Sequence, residues 1–282
     1  MKKILVPVDF SRQAAYALEF AVDLAKKIKT RIDVLHVVEF PVGTTIDPVG
    51  LPVPTQLDAD FLDVLKENAE KRMTTFLKKV PEDINTKRKV DVGNPYINIT
   101  EYITEEDIDL VVMGTKGASG LKEFFIGSNA EKVVRMARCP VITMHEKPKA
   151  NDIKDIVFAT DFEDPSEELI TELKRLQKLL DARLHLLRVN TPNNFERDRV
   201  AKPALEKTAK RYMLKDYTIN IYNDVYEDQG ILSFAQDIGA DMIALGTHGR
   251  TGIKHLISGS IAEDLVNHAT QPIWTYHIPK KK

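Results

Sequence analysis

Hydrophobic and polar positions follow the same order of patterns in the two halves of the chain. Short apolar runs, such as residues 4–8 and 156–159, alternate with segments in which apolar residues recur every three or four positions. The runs predict buried strands, and the spaced segments predict amphipathic helices. Residues 110–113 and 242–245 are continuously apolar, which is typical of central parallel strands covered on both faces. Each half is therefore predicted to form the succession βαβαβαβαβ, a doubly wound α/β sheet.

These periods also give approximate bounds for the elements. Ser11 is the expected N-cap of the first helix, and Asp164 is expected to cap a helix that begins at Pro165. Residues 41–59 contain four prolines and two glycines and are predicted to be a loop inserted in the first half alone. Helices are predicted at 14–28, 61–77, 97–104, 169–180, 204–214 and 231–238, and strands at 4–8, 31–38, 88–92, 110–113, 140–145, 156–159, 183–190, 218–222, 242–245 and 272–277.

A glycine motif occurs once in each half. Gly114, Gly117, Gly127 and Ser128 recur as Gly246, Gly249, Gly259 and Ser260, each displaced by 132 residues. So constant an offset indicates a duplicated domain, and we place the domains at 1–146 and 156–282 with a linker at 147–155.

Both copies of the motif lead into a helix. Each copy continues as Ser-x-x-Glu, at Ser128 to Glu131 and at Ser260 to Glu263, which predicts a capping box at a helix N-terminus. Amide groups at such a terminus suit phosphate, so each half is predicted to offer a glycine-lined cradle for a nucleotide. The alternative is that the glycines are turn residues and the serines only caps.

Carboxylates and valines stand at the ends of the first two strands of each half. Asp9 and Asp161 end the first strand, where a carboxylate could bind ribose hydroxyls or a phosphate-bound Mg²⁺, or only cap the next helix. Val37 and Val189, near the end of the second strand, could contact a base or only fill the core.

Histidines and loop cations also occur in equivalent places. His145 and His277 end the last strands and are expected at a sheet edge or an interface. Lys116 in the first glycine loop, and His248 with Arg250 in the second, could place a cation near phosphate, or could be solvated loop charges.

Composition excludes several classes of protein. With 282 residues, 29% of them charged, the chain suits two soluble domains, and its formal net charge of −2 gives no reason to expect nucleic acid or an anionic membrane as partner. Cys139 is the single cysteine, so neither an intramolecular disulfide nor a cysteine metal cluster is expected. Cys139 is expected to be a small buried residue. The first apolar stretch is too short for a signal peptide, and a cytoplasmic protein is predicted. The sequence contains no Walker A loop, dinucleotide fingerprint or kinase catalytic set.

The motifs together resemble the universal stress protein family in its tandem, two-domain form. The resemblance rests on residues 6–11, 113–117 with 127–128, and 245–252 with 259–260, and covers nearly the whole chain apart from linker, insertion and tail. The glycine spacing is similar to that of the family's ATP-binding branch. The first loop departs from the family in having Lys116 where histidine is usual. The second half departs in having Ala159 in place of proline and no counterpart of residues 92–95.

The resemblance implies a fold and a site. It implies five-stranded parallel sheets of order 3-2-1-4-5 with ATP, or alternatively ADP or AMP, at the carboxyl ends of the strands, in one half or in both. Asp9 and Asp161 would lie near ribose and a nucleotide-bound Mg²⁺. The implied nucleotide site comprises Pro7, Val8, Asp9, Val37, Met113, Gly114, Gly117, Gly127, Ser128 and Asn129 in the first half, and Ala159, Thr160, Asp161, Val189, Leu245, Gly246, His248, Gly249, Arg250, Gly259, Ser260 and Ile261 in the second.

The implied function is an ATP-binding stress-response protein that acts through nucleotide-dependent conformation or assembly with a protein partner. A slow or partner-dependent ATPase and a scaffold without nucleotide are the alternatives. The last strands, 141–144 and 273–276, are apolar and lie at the predicted sheet edge. They are expected to pair with each other about a pseudo-two-fold axis and to bury Trp274. A homodimer of tandem chains is a further expectation.

Overall fold

The computed structural model describes residues 1–39, 44–46, 52–54, 59–115, 127–147, 150–160, 165–248 and 260–278. In the first half the elements are β1 (Lys3–Pro7), α1 (Arg12–Ile28), β2 (Arg31–Val38), β3 (Thr44–Ile46), β4 (Pro52–Pro54), α2 (Ala59–Leu77), β5 (Thr86–Val92), α3 (Pro95–Glu105), β6 (Leu110–Gly114), α4 (Ser128–Met136) and β7 (Val141–Met144). In the second half they are β8 (Asp155–Ala159), α5 (Glu167–Leu180), β9 (Arg183–Asn190), α6 (Asp198–Arg211), β10 (Tyr217–Asn223), α7 (Glu227–Asp237), β11 (Met242–His248), α8 (Ser260–His268) and β12 (Ile273–Ile278).

The major strands of both halves join in one sheet. Their order is β10-β9-β8-β11-β12-β7-β6-β1-β2-β5. Within each half the pairing is parallel, and the five strands follow the predicted order 3-2-1-4-5. The halves meet where β12 pairs with β7 in antiparallel orientation, with Trp274 opposite Ile142. The expected intrachain pairing of the two edge strands is therefore confirmed.

Helices cover both faces of this sheet. The helices α1, α2, α5 and α6 pack on one face and α3, α4, α7 and α8 on the other, with a hydrophobic core on each side. Adjacent residues of β1 show the arrangement, since Ile4 enters one core and Leu5 the other. Burial on both faces explains why the central strands are continuously apolar.

Two predicted helix caps are wrong. Helix α5 is capped by Ser166, whose hydroxyl accepts a hydrogen bond from the Leu169 amide at 3.1 Å, so Pro165 precedes the helix instead of starting it. The N-cap of α4 is Gly127, and no side chain caps this helix. Ser128 is the first helical residue and does not close the predicted capping box, because its backbone has already entered the helix.

The segment 41–59, predicted to be a loop, contains regular structure. Strands β3 and β4 pair in antiparallel orientation, with Thr45 opposite Val53, and α2 begins at Ala59. Helix α6 begins at Asp198, before the predicted residue 204, and contains Pro203 in its interior. None of the helices in the described ranges combines the length and the apolar composition that a membrane crossing requires.

Candidate functional site

A cleft of about 520 Å³ opens at the carboxyl ends of β1, β2 and β6 in the first half. Ligand sites in doubly wound sheets lie at this edge, where the strand order reverses, and their volumes are typically 300–1,000 Å³. The cleft is lined by Pro7, Val8, Asp9, Ser11, Ala14, Leu35, His36, Val37, Val38, Glu39, Pro95, Ile99, Met113, Gly114, Thr115, Gly127, Ser128, Asn129 and Ala130. The structure thus brings together nine of the ten residues that sequence reasoning predicted for this half. The tenth, Gly117, lies outside the described residues.

One wall of the cleft is the N-terminus of α4. Four consecutive residues, 127–130, line the cleft there. In the same half α1 and α3 are capped by the side chains of Ser11 and Asn94, whereas α4 has Gly127 at its N-cap and no side-chain cap. The first-turn amides of α4 are therefore not occupied by a capping side chain, and together with the Ser128 hydroxyl they form a set of donors suited to an anion.

Another part of the cleft lining is the turn that joins β1 to α1. The Ser11 amide donates to Asp9 Oδ1 at 2.9 Å, and between them Phe10 adopts a left-handed φ of 62°. The Phe10 ring lies 4.3 Å from the His36 ring, and the Arg72 guanidinium lies 4.5 Å from its centroid. A non-glycine residue with positive φ is strained and persists where its surroundings over-determine it. These ring contacts hold the turn in place, and with it Asp9, which lines the cleft.

His36 lines the cleft and is tied to the same turn. Its Nδ1 is 2.7 Å from the Val8 carbonyl, which can only accept, so Nδ1 carries a hydrogen. Burial lowers the pKa of His36, and the nearby Arg72 lowers it further, while the Val8 hydrogen bond and Asp9 act in the opposite direction. A neutral imidazole at neutral pH follows from this balance.

Part of the cleft lining is apolar. Val8, Val37, Ile99 and Met113 belong to this part, and each is at most 9% exposed. Such a surface suits a planar, weakly polar group such as a nucleobase, whereas the α4 amides and Asp9 provide the polar groups around it.

Packing also requires a glycine at position 114 of the cleft lining. A Cβ at this position would lie 2.6 Å from Gln13 Cβ and 2.8 Å from the Gln13 carbonyl carbon. The absence of a side chain therefore lets β6 approach the first turn of α1. This close contact is a constraint that the glycine spacing alone did not reveal.

The end of β9 in the second half is arranged differently from the end of β2 in the first. Val189 packs against α7 so closely that a Cβ on Gly230 would lie 2.5 Å from Val189 Cγ1. Next to it Asn190, which is 2% exposed, donates to the Glu196 carbonyl at 2.9 Å and to Asn223 Oδ1 at 3.2 Å. The segment after β9 thus folds back over the end of its own strand.

The remaining predicted residues of the second half fall in several places. Ala159 ends β8, Leu245 and Gly246 lie in β11, and Ile261 is buried in the first turn of α8. The Thr160 amide donates to the Leu187 carbonyl at 3.2 Å, as the Val8 amide does to that of Leu35 in the first half. Asp161, Gly249, Arg250 and Gly259 lie outside the described residues, as do the side chains of His248 and Ser260.

Sequence reasoning missed several residues of the first cleft. Ser11, His36, Pro95, Ile99 and Thr115 line it as well. Pro95 belongs to the segment 92–95 that the second half lacks, and this difference was a usable signal. No signal in the sequence marked His36 and Ile99 as cleft residues, because their positions depend on how helices pack on the sheet.

The donor set near Asp9 fits a magnesium ion only as a companion of phosphate. A carboxylate and the hydroxyl of Ser128 are hard oxygen ligands of the kind that Mg²⁺ prefers. Within the described ranges no group of three or more histidine, cysteine, aspartate or glutamate side chains could hold a metal ion. The rest of the coordination sphere would have to come from phosphate oxygens and water.

Comparison with known proteins gives one consistent result. The Universal stress protein family matches the chain twice, over residues 1–145 and 152–277. Universal stress protein MJ0531 of Methanocaldococcus jannaschii is 32% identical over 151 residues, covering 52% of this chain and 84% of that protein. Universal stress protein Slr1230 of Synechocystis is 21% identical over 290 residues, covering 98% of this chain and 100% of that protein. A solved universal stress protein from Archaeoglobus fulgidus has a similar fold, with a TM-score of 0.75, 22% identity and 98% coverage of both chains.

Proposed function

Because both halves of this chain belong to the Universal stress protein family, we propose that it is an ATP-binding member of that family whose first half holds the nucleotide. It acts in the cytoplasm in a stress response, through a nucleotide-dependent change of conformation or of assembly with a protein partner. The observation that carries the proposal is the N-terminus of α4, which lines the cleft and has no capping side chain.

Each part of an adenine nucleotide has a matching surface in the first cleft. The α4 amides and the Ser128 hydroxyl suit the phosphates, and the Asp9 carboxylate suits the ribose hydroxyls and Mg²⁺. The apolar lining residues Val37, Ile99 and Met113 suit the base. All of these groups line the same cleft.

The second half supports the proposal less. In the second half, α7 contacts Val189 at Gly230, and Asn190 bonds the Glu196 carbonyl, so two segments of the chain pack against the end of β9. In the first half, Val37 near the end of β2 lines the cleft. We therefore propose one nucleotide per chain, in the first half.

Calorimetric titration with Mg-ATP tests the binding and its place. The wild-type chain is expected to bind ATP and to melt at a higher temperature with it, since a ligand that binds only the folded state stabilises that state. Gly127→Val places a β-branched side chain where phosphate must approach the backbone, and should weaken binding by tenfold or more, about 1.4 kcal/mol. Gly259→Val is the matched change in the second half and should leave the affinity unchanged.

The two glycine variants separate the alternatives. An affinity lost in Gly259→Val but kept in Gly127→Val would move the site to the second half. No melting shift at millimolar Mg-ATP, together with no nucleotide released from the purified protein on denaturation, would contradict ATP binding itself. ADP recovered after incubation with ATP would identify the protein as a slow ATPase.

A further inference from the structure

His145, the residue after β7, lies between the two halves of the chain. Its Nδ1 is 2.6 Å from the Thr115 hydroxyl in the first half, and its Nε2 contacts the Val266 carbonyl in the second half. Because a carbonyl only accepts, Nε2 carries a hydrogen and donates it to Val266. The partner of Nδ1 is the Thr115 hydroxyl, which also lies 3.3 Å from the Met144 carbonyl. One imidazole thus links the halves through two hydrogen bonds.

In the first half this bridge reaches the wall of the cleft. Thr115 lines the cleft directly after β6, and its carbonyl accepts from the Gly127 amide at 2.6 Å. Gly127 is the N-cap of α4. Thr115 therefore helps to set where the N-terminus of α4 stands relative to the end of β6.

In the second half the bridge reaches the C-terminus of α8. This helix ends at His268, and the last four carbonyls of a helix lack partners further along it. The Ala269 amide satisfies the Leu265 carbonyl at 2.8 Å, and the next carbonyl, that of Val266, is satisfied by His145. A hydrogen-bond donor is favoured there by the partial negative charge of the helix end. The N-terminus of the same helix directly follows the second glycine motif.

The bridge exists on one side of the pseudo-two-fold axis only. His277 is displaced from His145 by the same 132 residues as the glycine motifs, yet its side chain makes no hydrogen bond to any residue that the structure describes. The equivalent threonine, Thr247, donates to the Tyr276 carbonyl at 3.5 Å, as Thr115 does to the Met144 carbonyl at 3.3 Å, so the halves differ at the histidine and not at the threonine. His277 therefore offers a matched control for His145.

We propose that His145 is a positioning residue that couples the first cleft to α8, the helix that follows the second glycine motif. The proposal rests on nucleotide binding in the first half. A ligand that orders the N-terminus of α4 holds Thr115 in place, and the imidazole passes this restraint to the last turn of α8. Because such coupling is reciprocal, whatever orders α8 also tightens binding in the first cleft.

Hydrogen exchange of the full chain, read by NMR or mass spectrometry, tests the coupling at two reporter amides, Gly127 and Ala269. In the free protein, His145→Ala should speed exchange at both by roughly threefold to tenfold, the effect of losing an ordinary hydrogen bond. His277→Ala should leave both unchanged. His145→Gln keeps a donor at the reach of Val266 but has no δ nitrogen to bond the Thr115 hydroxyl. It should restore protection at Ala269 and not at Gly127.

Saturating Mg-ATP gives the second arm of the experiment. ATP should slow exchange at Ala269 in the wild type and in His277→Ala, and should not do so in His145→Ala. If ATP binds by calorimetry while Ala269 is unaffected, or responds equally in His145→Ala, the coupling is overturned and the proposed function stands. If free His145→Ala exchanges like the wild type at both amides, the bridge is overturned whether or not ATP binds. If no variant binds ATP, the proposed function is overturned, and the ligand-dependent coupling with it.

Discussion

Gly114 and Gly246 occupy equivalent positions but carry different packing constraints. A Cβ at Gly114 would meet the backbone of Gln13 at 2.8 Å, whereas a Cβ at Gly246 would meet the end of the Leu169 side chain, Cδ2, at 2.6 Å. A leucine methyl can rotate away, but the backbone of α1 cannot move without displacing its N-terminus. We expect Gly114→Ala to lower the free energy of unfolding by about 1–3 kcal/mol, and Gly246→Ala by less.

Urea unfolding of the two alanine variants measures this difference. Gly114→Ala should also weaken nucleotide binding, because Gln13 lies two residues after Ser11 at the wall of the cleft. Equal losses of stability in the two variants would show that β6 does not press on the α1 backbone.

His36 should make the stability of the protein depend on pH. Burial lowers its pKa below the ordinary value of 6.5, so the unfolded chain binds a proton more readily than the folded one. The contribution of neutral His36 is then fully present above about pH 6.5 and is lost as the pH falls through the folded-state pKa. Arg72, whose charge lowers the His36 pKa, and Asp9, whose charge raises it, are the neighbouring charged groups.

His36→Asn tests this dependence, since asparagine keeps an N–H near the Val8 carbonyl but does not titrate. Below pH 6.5 the urea midpoint of the variant should fall less steeply than that of the wild type. Parallel curves for the two proteins would exclude His36 as a source of the slope.

At the scale of single residues, the sequence predicted those whose role depends on nearby residues in the chain. Asp9, Val37 and Ser128 were predicted because they stand at the ends of strands or after a glycine in a repeated pattern, and all three line the cleft. The second bond of His145, to Val266, joins residues 121 apart in the sequence. No local pattern encodes such a contact, because it exists only once the two halves pack together.

At the scale of elements, the serines at three helix N-termini are predicted to contribute unequally to stability. Ser11 and Ser166 accept hydrogen bonds from the amides three residues on, each at 3.1 Å, whereas Ser128 is inside its helix and caps nothing. Ser11→Ala and Ser166→Ala should each cost about 1 kcal/mol of unfolding free energy. Ser128→Ala should change it by less than about 0.5 kcal/mol.

Thermal or urea unfolding of these three variants, with calorimetric titration of ATP beside it, separates capping from binding. Ser128→Ala is expected to weaken ATP binding while leaving stability nearly intact. A stability loss in Ser128→Ala equal to that in Ser11→Ala would show that Ser128 caps α4 after all, as the capping-box pattern predicted.

Element types were easier to predict than element ends. The strands and helices with strong periodicity form where the pattern placed them, because burial on one or both faces selects the same residues in sequence and in structure. The ends depend on competing local bonds. Residues 164–166 offered both an aspartate followed by proline and a serine, and the serine hydroxyl caps the helix. The strand pair β3–β4 lies in a proline-rich segment, and this segment has no alternating apolar and polar pattern that would predict strands.

For the whole molecule, the order of the sheet decides which edges stay open. Pairing of β7 with β12 uses the two apolar edges, and β5 and β10 become the outer strands. The strand β5 carries Lys87, Arg88 and Lys89, and charged side chains of this kind oppose further strand pairing. A homodimer of tandem chains stays a prediction, and at the β5 edge the charges make it unfavourable.

The seam between the halves gives the last prediction. Trp274, the only tryptophan, is 1% exposed in β12, lies opposite Ile142 of β7, and stacks near Tyr276 with ring centroids 6.3 Å apart. Its emission should therefore be blue-shifted and inaccessible to acrylamide. Because both strands belong to one chain, their effective concentration does not fall on dilution, and the spectrum should be the same at micromolar and nanomolar protein. A red shift on dilution would instead mean that pairing between chains buries Trp274, and a freely quenched emission at every concentration would mean that β7 and β12 do not pair in solution.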